Sequence, residues 1–263
     1  MVKSKNKMPD WNPDLYLKFS DQRARPATDL IAQIKLENPT RIIDLGCGTG
    51  NSTEQVYARW PNCKIAGLDS SASMLKQAAE RHPDWQWIHS DIDQWKPDAA
   101  FDLIFSNAAL HWVGDHGSLF PRLFHLVASS GAMAVQMPNN FHSGAHQAMK
   151  KVAGDPRWAA LLTNVSEKYG VQPVAFYYEA LRKLAAHLDI WETEYLQIMD
   201  GPKAVHEWVR STGMRAYLEK LANDDQRTEF ERLCLDEIER AYQPNDQGKV
   251  LFPFKRIFIV AYK

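Results

Sequence analysis

Hydrophobic positions along the chain follow two rhythms, short apolar runs closed by turn residues and longer stretches with helical spacing. The short runs predict strands: RIIDL (41–45), KIAGLD (64–69), WQWIHSD (85–91), FDLIFSNAAL (101–110) and AMAVQM (132–137). Between them lie helical patterns, namely ATDLIAQI, Asn51 to Arg59, SASMLKQAAERH with a serine cap, and SLFPRLFHLV. Strands and helices alternating at this spacing predict an α/β fold, with a parallel sheet covered on both faces and right-handed crossovers. An earlier segment, WNPDLYLKF (11–19), places Pro13 where a helix begins. After Pro138 the alternation stops. AHQAMKKVA, VAFYYEALRKLAAHL and the block from Lys203 to Tyr242 read as helical, Asp189 to Met199 as a strand, and FKRIFIVAYK as a closing strand. No linker-like or repetitive segment intervenes. One domain over 1–263 is therefore expected, with a core of about 25–137 plus 189–199 and 253–263, and a helical cap of about 138–188 and 200–245.

A chain of 263 residues can bury one large core, and 45% hydrophobic with 24% charged residues is ordinary globular composition. The formal net charge of -1 gives no electrostatic reason for a nucleic-acid partner, so none is expected and small-molecule substrates are favoured. There is no run of about 18 apolar residues, and no apolar run follows the basic MVKSKNKM, so neither a membrane span nor a secretory signal is expected. Cys47, Cys63 and Cys234 are odd in number and scattered, which suits reduced thiols and a cytoplasmic protein.

The strongest local signal is IIDLGCGTGNST, residues 42–53: a strand ending in Asp44, a loop with Gly46, Gly48 and Gly50, then a helix. Glycines let the backbone take positive φ and let a ligand approach, and a helix amino terminus adds unpaired N–H groups. Such a loop at the carboxyl end of a parallel strand is where open α/β sheets bind ligands. A dinucleotide loop reads G-x-G-x-x-G, whereas here Asn51 stands where the third glycine would fall. The tighter spacing suits a cofactor without phosphates; a nicotinamide dehydrogenase remains the alternative from another class. Asp69 closes the second strand, about 20 residues beyond the glycines, where a carboxylate accepts from a ribose diol. Ser70, Ser71 and Met74 follow, Met74 being placed either against a base or in the core. Asp91, after the third strand, can accept from an adenine amino group. At the fourth strand's end, Asn107 either faces the ligand or caps the strand, and Trp112 either lines the site or packs under a helix.

LGCGTGNS, GLDSSASML, SDIDQW and FDLIFSNAALHW, in this order and spacing, resemble the class I S-adenosylmethionine-dependent methyltransferases. A narrower likeness, to the members of that family acting on trans-aconitate, rests on WNPDLYLKFSDQRARPATDL, NAALHWVGDH, AVQMPNN, Asp189-Ile190-Trp191, Trp208 to Gly213 and the terminal strand. The resemblance implies a Rossmann-like, seven-stranded, mostly parallel sheet whose last two strands form an antiparallel hairpin. It implies S-adenosylmethionine as cofactor, with Asp69 on the ribose, Asp91 and Ile92 at the adenine and Gly46 at the methionine portion. It also implies methyl transfer to a carboxylate of a small tricarboxylic acid.

That chemistry needs alignment rather than a base, because a carboxylate is already ionised near neutral pH and the methyl donor is a sulfonium. No catalytic acid or base is therefore assigned. Arginine is the favoured carboxylate partner because its planar fork binds two oxygens. Arg23 and Arg25 belong to the amino-terminal region, whose segment 10–24 is expected over the site together with Tyr16; Arg256 is a further candidate. His111, Gln136, Asn139, Asn140, Tyr177 and Tyr178 can supply hydrogen bonds, the two tyrosines being equally placed as core aromatics. His142 and His146 have i,i+4 spacing but no matching Cys or acid frame, so they read as a solvated helix face and no metal is expected.

Overall fold

The computed structural model describes residues 20–162, 165 and 170–263, and of residues 20–23 the backbone alone. Helix α1 (Ser20–Gln33) leads to β1 (Arg41–Leu45), whose last four residues are buried, as expected of an inner strand. The chain continues through α2 (Asn51–Arg59), β2 (Lys64–Asp69), α3 (Ala72–Arg81), β3 (Gln86–His89) and β4 (Phe101–Asn107). A 3-10 turn (Leu110–Trp112), α4 (His116–His125) and β5 (Val127–Pro138) complete the alternating half. Then come α5 (Gly144–Ala153), α6 (Ala159–Leu162), α7 (Val174–Leu181), β6 (His187–Met199), α8 (Pro202–Arg210), α9 (Arg215–Leu218), α10 (Asp224–Ala241) and β7 (Val250–Tyr262).

The seven strands form one sheet in the order β3-β2-β1-β4-β5-β7-β6. β1 pairs in parallel with β2 and β4, β2 with β3, and β4 with β5, while β7 runs antiparallel to β5. This is the Rossmann-like, mostly parallel architecture expected. The expected terminal hairpin takes a different form. β6 and β7 are neighbours in the sheet, but residues 200–249, carrying α8, α9 and α10, lie between them in the chain.

The described residues divide into two compact units. The sheet unit holds Arg23–Asn139, residues 170–194 and Lys255–Lys263. One face of its sheet, with Ile43, Leu45, Ile104, Val135 and Ile257, builds a core with Leu119, Leu123 and Phe124 of α4 and Tyr177 of α7. The helical unit holds residues 140–162, 165 and 195–254, and has its own core around Trp208, Phe230, Tyr217 and Phe252. There α10 buries Phe230, Cys234 and Ile238, one stripe at four-residue spacing, and packs on α5 and α8.

Some element boundaries differ from expectation for local reasons. The fourth strand stops at Asn107, where Ala108 takes φ 54 and turns the chain into the 3-10 turn. The helix expected over VAFYYEALRKLAAHL ends at Leu181, since the Ala186 N–H already donates to the Tyr262 carbonyl and β6 begins. Residues 170–188, expected in the cap, therefore fall in the sheet unit, where α7 packs on α4. The block 203–242 is broken at Ser211 and Thr212, whose hydroxyls turn back to the Trp208 carbonyl, and again at Asn223, which caps α10. Among the described residues no helix is long and apolar enough to cross a membrane.

Candidate active site

Strand register gathers the polar candidates onto one face. Side chains alternate along a strand, so residues two apart share a face, as do register partners across neighbouring strands. Asp44 stands opposite Gly67, which places Asp69 on the Asp44 face; Asp44 also stands opposite Phe105, which places Asn107 there. Asn107 pairs with Gln136, and Arg256, opposite Pro138, shares the Gln136 face. Asp69, Asp44, Asn107, Gln136 and Arg256 thus form a row across the carboxyl ends of the parallel strands.

The glycine loop sits at the head of this row. Gly46, Gly48 and Gly50 all have positive φ, 74, 55 and 87°, which side chains with a Cβ rarely adopt. A Cβ on Gly46 would lie 2.1 Å from the Ala109 Cβ, so the loop is pressed against the turn after β4. The Gly46 and Cys47 N–H groups donate to the Leu68 carbonyl at 2.7 and 3.1 Å, tying the loop to β2. The Gly48 N–H donates to Asp69 Oδ2 at 2.9 Å, and the Ser71 N–H to Asp69 Oδ1 at 2.8 Å. Each oxygen still has acceptor capacity. Arg81 secures the far side, donating to the Thr49 carbonyl and, at 2.9 Å, to Asn51 Oδ1.

Asp44 is fully buried, and its Oδ2 accepts the Ser52 and Thr53 hydroxyls, both at 2.7 Å. Burial pushes its carboxyl up to about 6, against the pull of those two hydroxyls. Its Oδ1 is buried with no hydrogen-bond partner among the described residues. Ser52 and Thr53 were not singled out from the sequence; their signal was two hydroxyls in the first turn after the loop. Burial, reinforced by Asp44 and Asp69, pushes the Cys47 thiol up, so it stays protonated and is no nucleophile.

The other candidates divide. Met74 sits beside the loop, its Sδ 3.5 Å from where a Gly48 Cβ would lie. Ser70 is exposed, and its carbonyl meets His89 Nε2 at 3.0 Å. Asp91 is exposed and Ile92 leans on the sheet-unit core. Asn107 Oδ1 and Gln136 Nε2 are buried without partners among the described residues. His111 is buried beneath the 43% exposed Trp112, with ring centroids 4.6 Å apart. Asn139 donates to Glu192 at 2.7 Å, and Asn140, in the helical unit, is buried.

Several expectations are corrected. Tyr177, expected at the substrate, is a core residue: its hydroxyl meets His116 Nδ1 at 2.7 Å and accepts the Gln172 N–H at 3.0 Å. Tyr178 on the same helix is 52% exposed. Arg25 is exposed and faces Asp29 on its own helix at 3.8 Å. The two histidines are not a solvated helix face. His142 precedes α5, whereas His146 is half-buried beside Phe141 and the Gly213 backbone, and burial lowers it to about 4. Tyr16, the segment 10–19 and the Arg23 side chain lie outside the described residues.

Solved structures share this architecture. Phosphoethanolamine N-methyltransferase 2 of Haemonchus contortus, in complex with S-adenosyl-L-methionine, matches 90% of this chain and 52% of its own at TM-score 0.57 and 14% identity. The YcgJ protein of Bacillus subtilis matches 91% of this chain and 98% of its own at TM-score 0.58 and 14% identity. Residues 42–131 match a family model described as a methyltransferase domain. Strand order, glycine loop and that match together define an S-adenosylmethionine-dependent methyltransferase. Trans-aconitate 2-methyltransferase of Azoarcus sp. is 41% identical over 97% of this chain and 100% of its own length, and that of Afipia carboxidovorans 44% over 96% and 99%. The chain belongs to the trans-aconitate 2-methyltransferase family.

Proposed function

We propose that this protein transfers a methyl group from S-adenosylmethionine to a carboxylate of trans-aconitate, giving a monomethyl ester. The observation that carries the reading is full-length identity of 41–44% to relatives of that name, loop and helical unit included. S-adenosylmethionine supplies, when bound, an electrophilic methyl on a sulfonium.

The residues fit that group. The buried, partnerless Asp44 Oδ1 is matched in charge to the ammonium of the cofactor's amino-acid end, and the positive-φ glycines leave backbone where side chains would block it. Asp69 keeps acceptor capacity for a ribose diol, while Met74 flanks the loop; Asp91 and Ile92 are assigned to the adenine, and Asn107 to the reacting end of the row. The protein's task is to align a carboxylate oxygen with the methyl and to exclude water. Opposite charges cancel during the transfer, so a water-poor setting favours it. With an ionised acceptor, no side chain has to remove a proton.

The test is transfer of radiolabelled methyl to trans-aconitate, scored as a base-labile ester, alongside a panel of small acids. Label appearing on other acids alone would move the substrate while keeping the reaction class. Tight binding of NAD with none of S-adenosylhomocysteine would remove the reading altogether.

A further inference from the structure

We propose that Trp87 is a positioning residue for the cofactor: its indole, lying across Gly67, is the floor on which the glycine loop rests. This builds on the cofactor assignment above and does not depend on which acid accepts the methyl. Register puts the ring there. Trp87 on β3 stands opposite Gly67 on β2, which stands opposite Asp44 on β1, so the indole shares the face of the polar row. With no side chain at Gly67, the ring can lie over β2. A Cβ at Gly67 would be 2.6 Å from Trp87 Cε3, closer still to Cζ3, and 2.8 Å from Cys47 Sγ. Gly67 is not among the glycines with positive φ, so its backbone would accept a side chain, and the close approach of the indole is what keeps the position bare.

The far edge of the same ring reaches the loop. A Cβ on Gly50 would be 3.0 Å from Trp87 Cη2 and 3.5 Å from Ala78 Cβ, so Gly50 is held between the indole and α3. Gly50 is the N-cap of α2 and makes no side-chain cap hydrogen bond, so packing has to fix where this helix begins. A loop with glycines at 46, 48 and 50 also has the most backbone freedom to lose on ordering. The indole is itself anchored. Its Nε1 donates to the His82 carbonyl at 3.0 Å, and His82 Nε2 lies 2.8 Å from Glu54 Oε1. Glu54, in the first turn of α2, donates its N–H to the Gly50 carbonyl at 2.9 Å. Trp87 thus meets the loop through its ring and through this chain of hydrogen bonds, and acts on the cofactor by way of the loop.

The test pairs Trp87→Ala with Trp87→Phe. Calorimetry with S-adenosylhomocysteine should show affinity falling roughly 10-fold in Trp87→Ala and returning to within about threefold of the unaltered protein in Trp87→Phe, whose ring still covers Gly67. In turnover with trans-aconitate, the KM for S-adenosylmethionine should rise in Trp87→Ala with little change in kcat. A tryptophan that only fills the sheet edge would lower the melting temperature and leave that affinity unmoved. Such a result overturns the inference, and so does an equal loss of affinity in Trp87→Phe. Should Trp87→Ala not fold, Trp87→Leu serves, since it keeps apolar bulk and loses the flat ring; the same loss is expected, and unchanged affinity overturns the inference. If the unaltered protein binds S-adenosylhomocysteine but transfers no methyl to trans-aconitate, the substrate reading falls and this inference stands; if it does not bind S-adenosylhomocysteine, both fall.

Discussion

Asp44 concentrates the site's electrostatics in one side chain. Burial raises its carboxyl to about 6, so the ligand-free fold favours the protonated form below that pH and holds a buried carboxylate above it. A raised folded pKa contributes stability at low pH that disappears as pH rises through about 6, leaving an ionised, buried carboxylate at a cost on the order of 2–3 kcal/mol near neutrality. A ligand ammonium beside Oδ1 offsets that cost. Affinity for S-adenosylhomocysteine is therefore expected to fall as pH drops through about 6. Asp44→Asn should flatten this dependence and weaken binding at neutral pH by ~1–3 kcal/mol, while the ligand-free variant melts no lower, because the amide oxygen still accepts the Ser52 and Thr53 hydroxyls. Titration calorimetry between pH 5 and 8 checks both, and a flat profile for the unaltered protein would count against Asp44 as the ammonium's partner. Asp69→Ala removes the acceptor of the Gly48 and Ser71 N–H groups as well as the ribose acceptor. It should cost ~1–3 kcal/mol of cofactor affinity.

The glycine loop and helix α7 show what could be read in advance and what could not. Gly46→Ala puts a Cβ at 2.1 Å from that of Ala109 and strains a φ of +74°, so cofactor binding should drop at least about tenfold. Adding Ala109→Gly removes the clash but not the strain, and should restore binding in part; no recovery would mean that crowding against Ala109 is not what shapes the loop. Spacing alone revealed the loop, because a strand, three glycines and a helix are local in sequence. Tyr177 was not legible in the same way. Its apolar helix face is visible in the sequence, but its hydroxyl is spent on His116 and the Gln172 N–H, partners fixed by packing on α4. Tyr177→Phe should therefore lower stability by ~1–3 kcal/mol in denaturant melts and leave cofactor affinity unchanged. Gln136 and Arg256 meet across 120 residues through the antiparallel register of β5 and β7, and no local pattern encodes that register. The strands themselves were legible because burial on both faces leaves short apolar runs.

Across the whole molecule the two units carry acid-sensitive groups of opposite sign. In the sheet unit the Asp44 carboxyl is raised to about 6, so acidification through that value relieves a buried charge. In the helical unit His146 lies in the first turn of α5, its Nδ1 3.1 Å from Ser143 Oγ. Burial, with Lys150 adding like charge, lowers it from 6.5 to about 4. A histidine lowered on folding contributes stability that is present above its ordinary pKa and is lost as pH falls toward the folded value. Between about pH 6.5 and 4 the neutral imidazole must be held against protonation, so α5 loses support over the window in which Asp44 gains it. Amide exchange reads the units separately. Protection over Gly144–Ala153 should decline across this window, the decline should be abolished by His146→Gln, and Asp44→Asn should leave it untouched. Protection of β1 and α2 should hold or rise over the same range in the ligand-free protein, and that trend should vanish in Asp44→Asn. If α5 protection declined equally in His146→Gln, His146 would not be the group behind the decline.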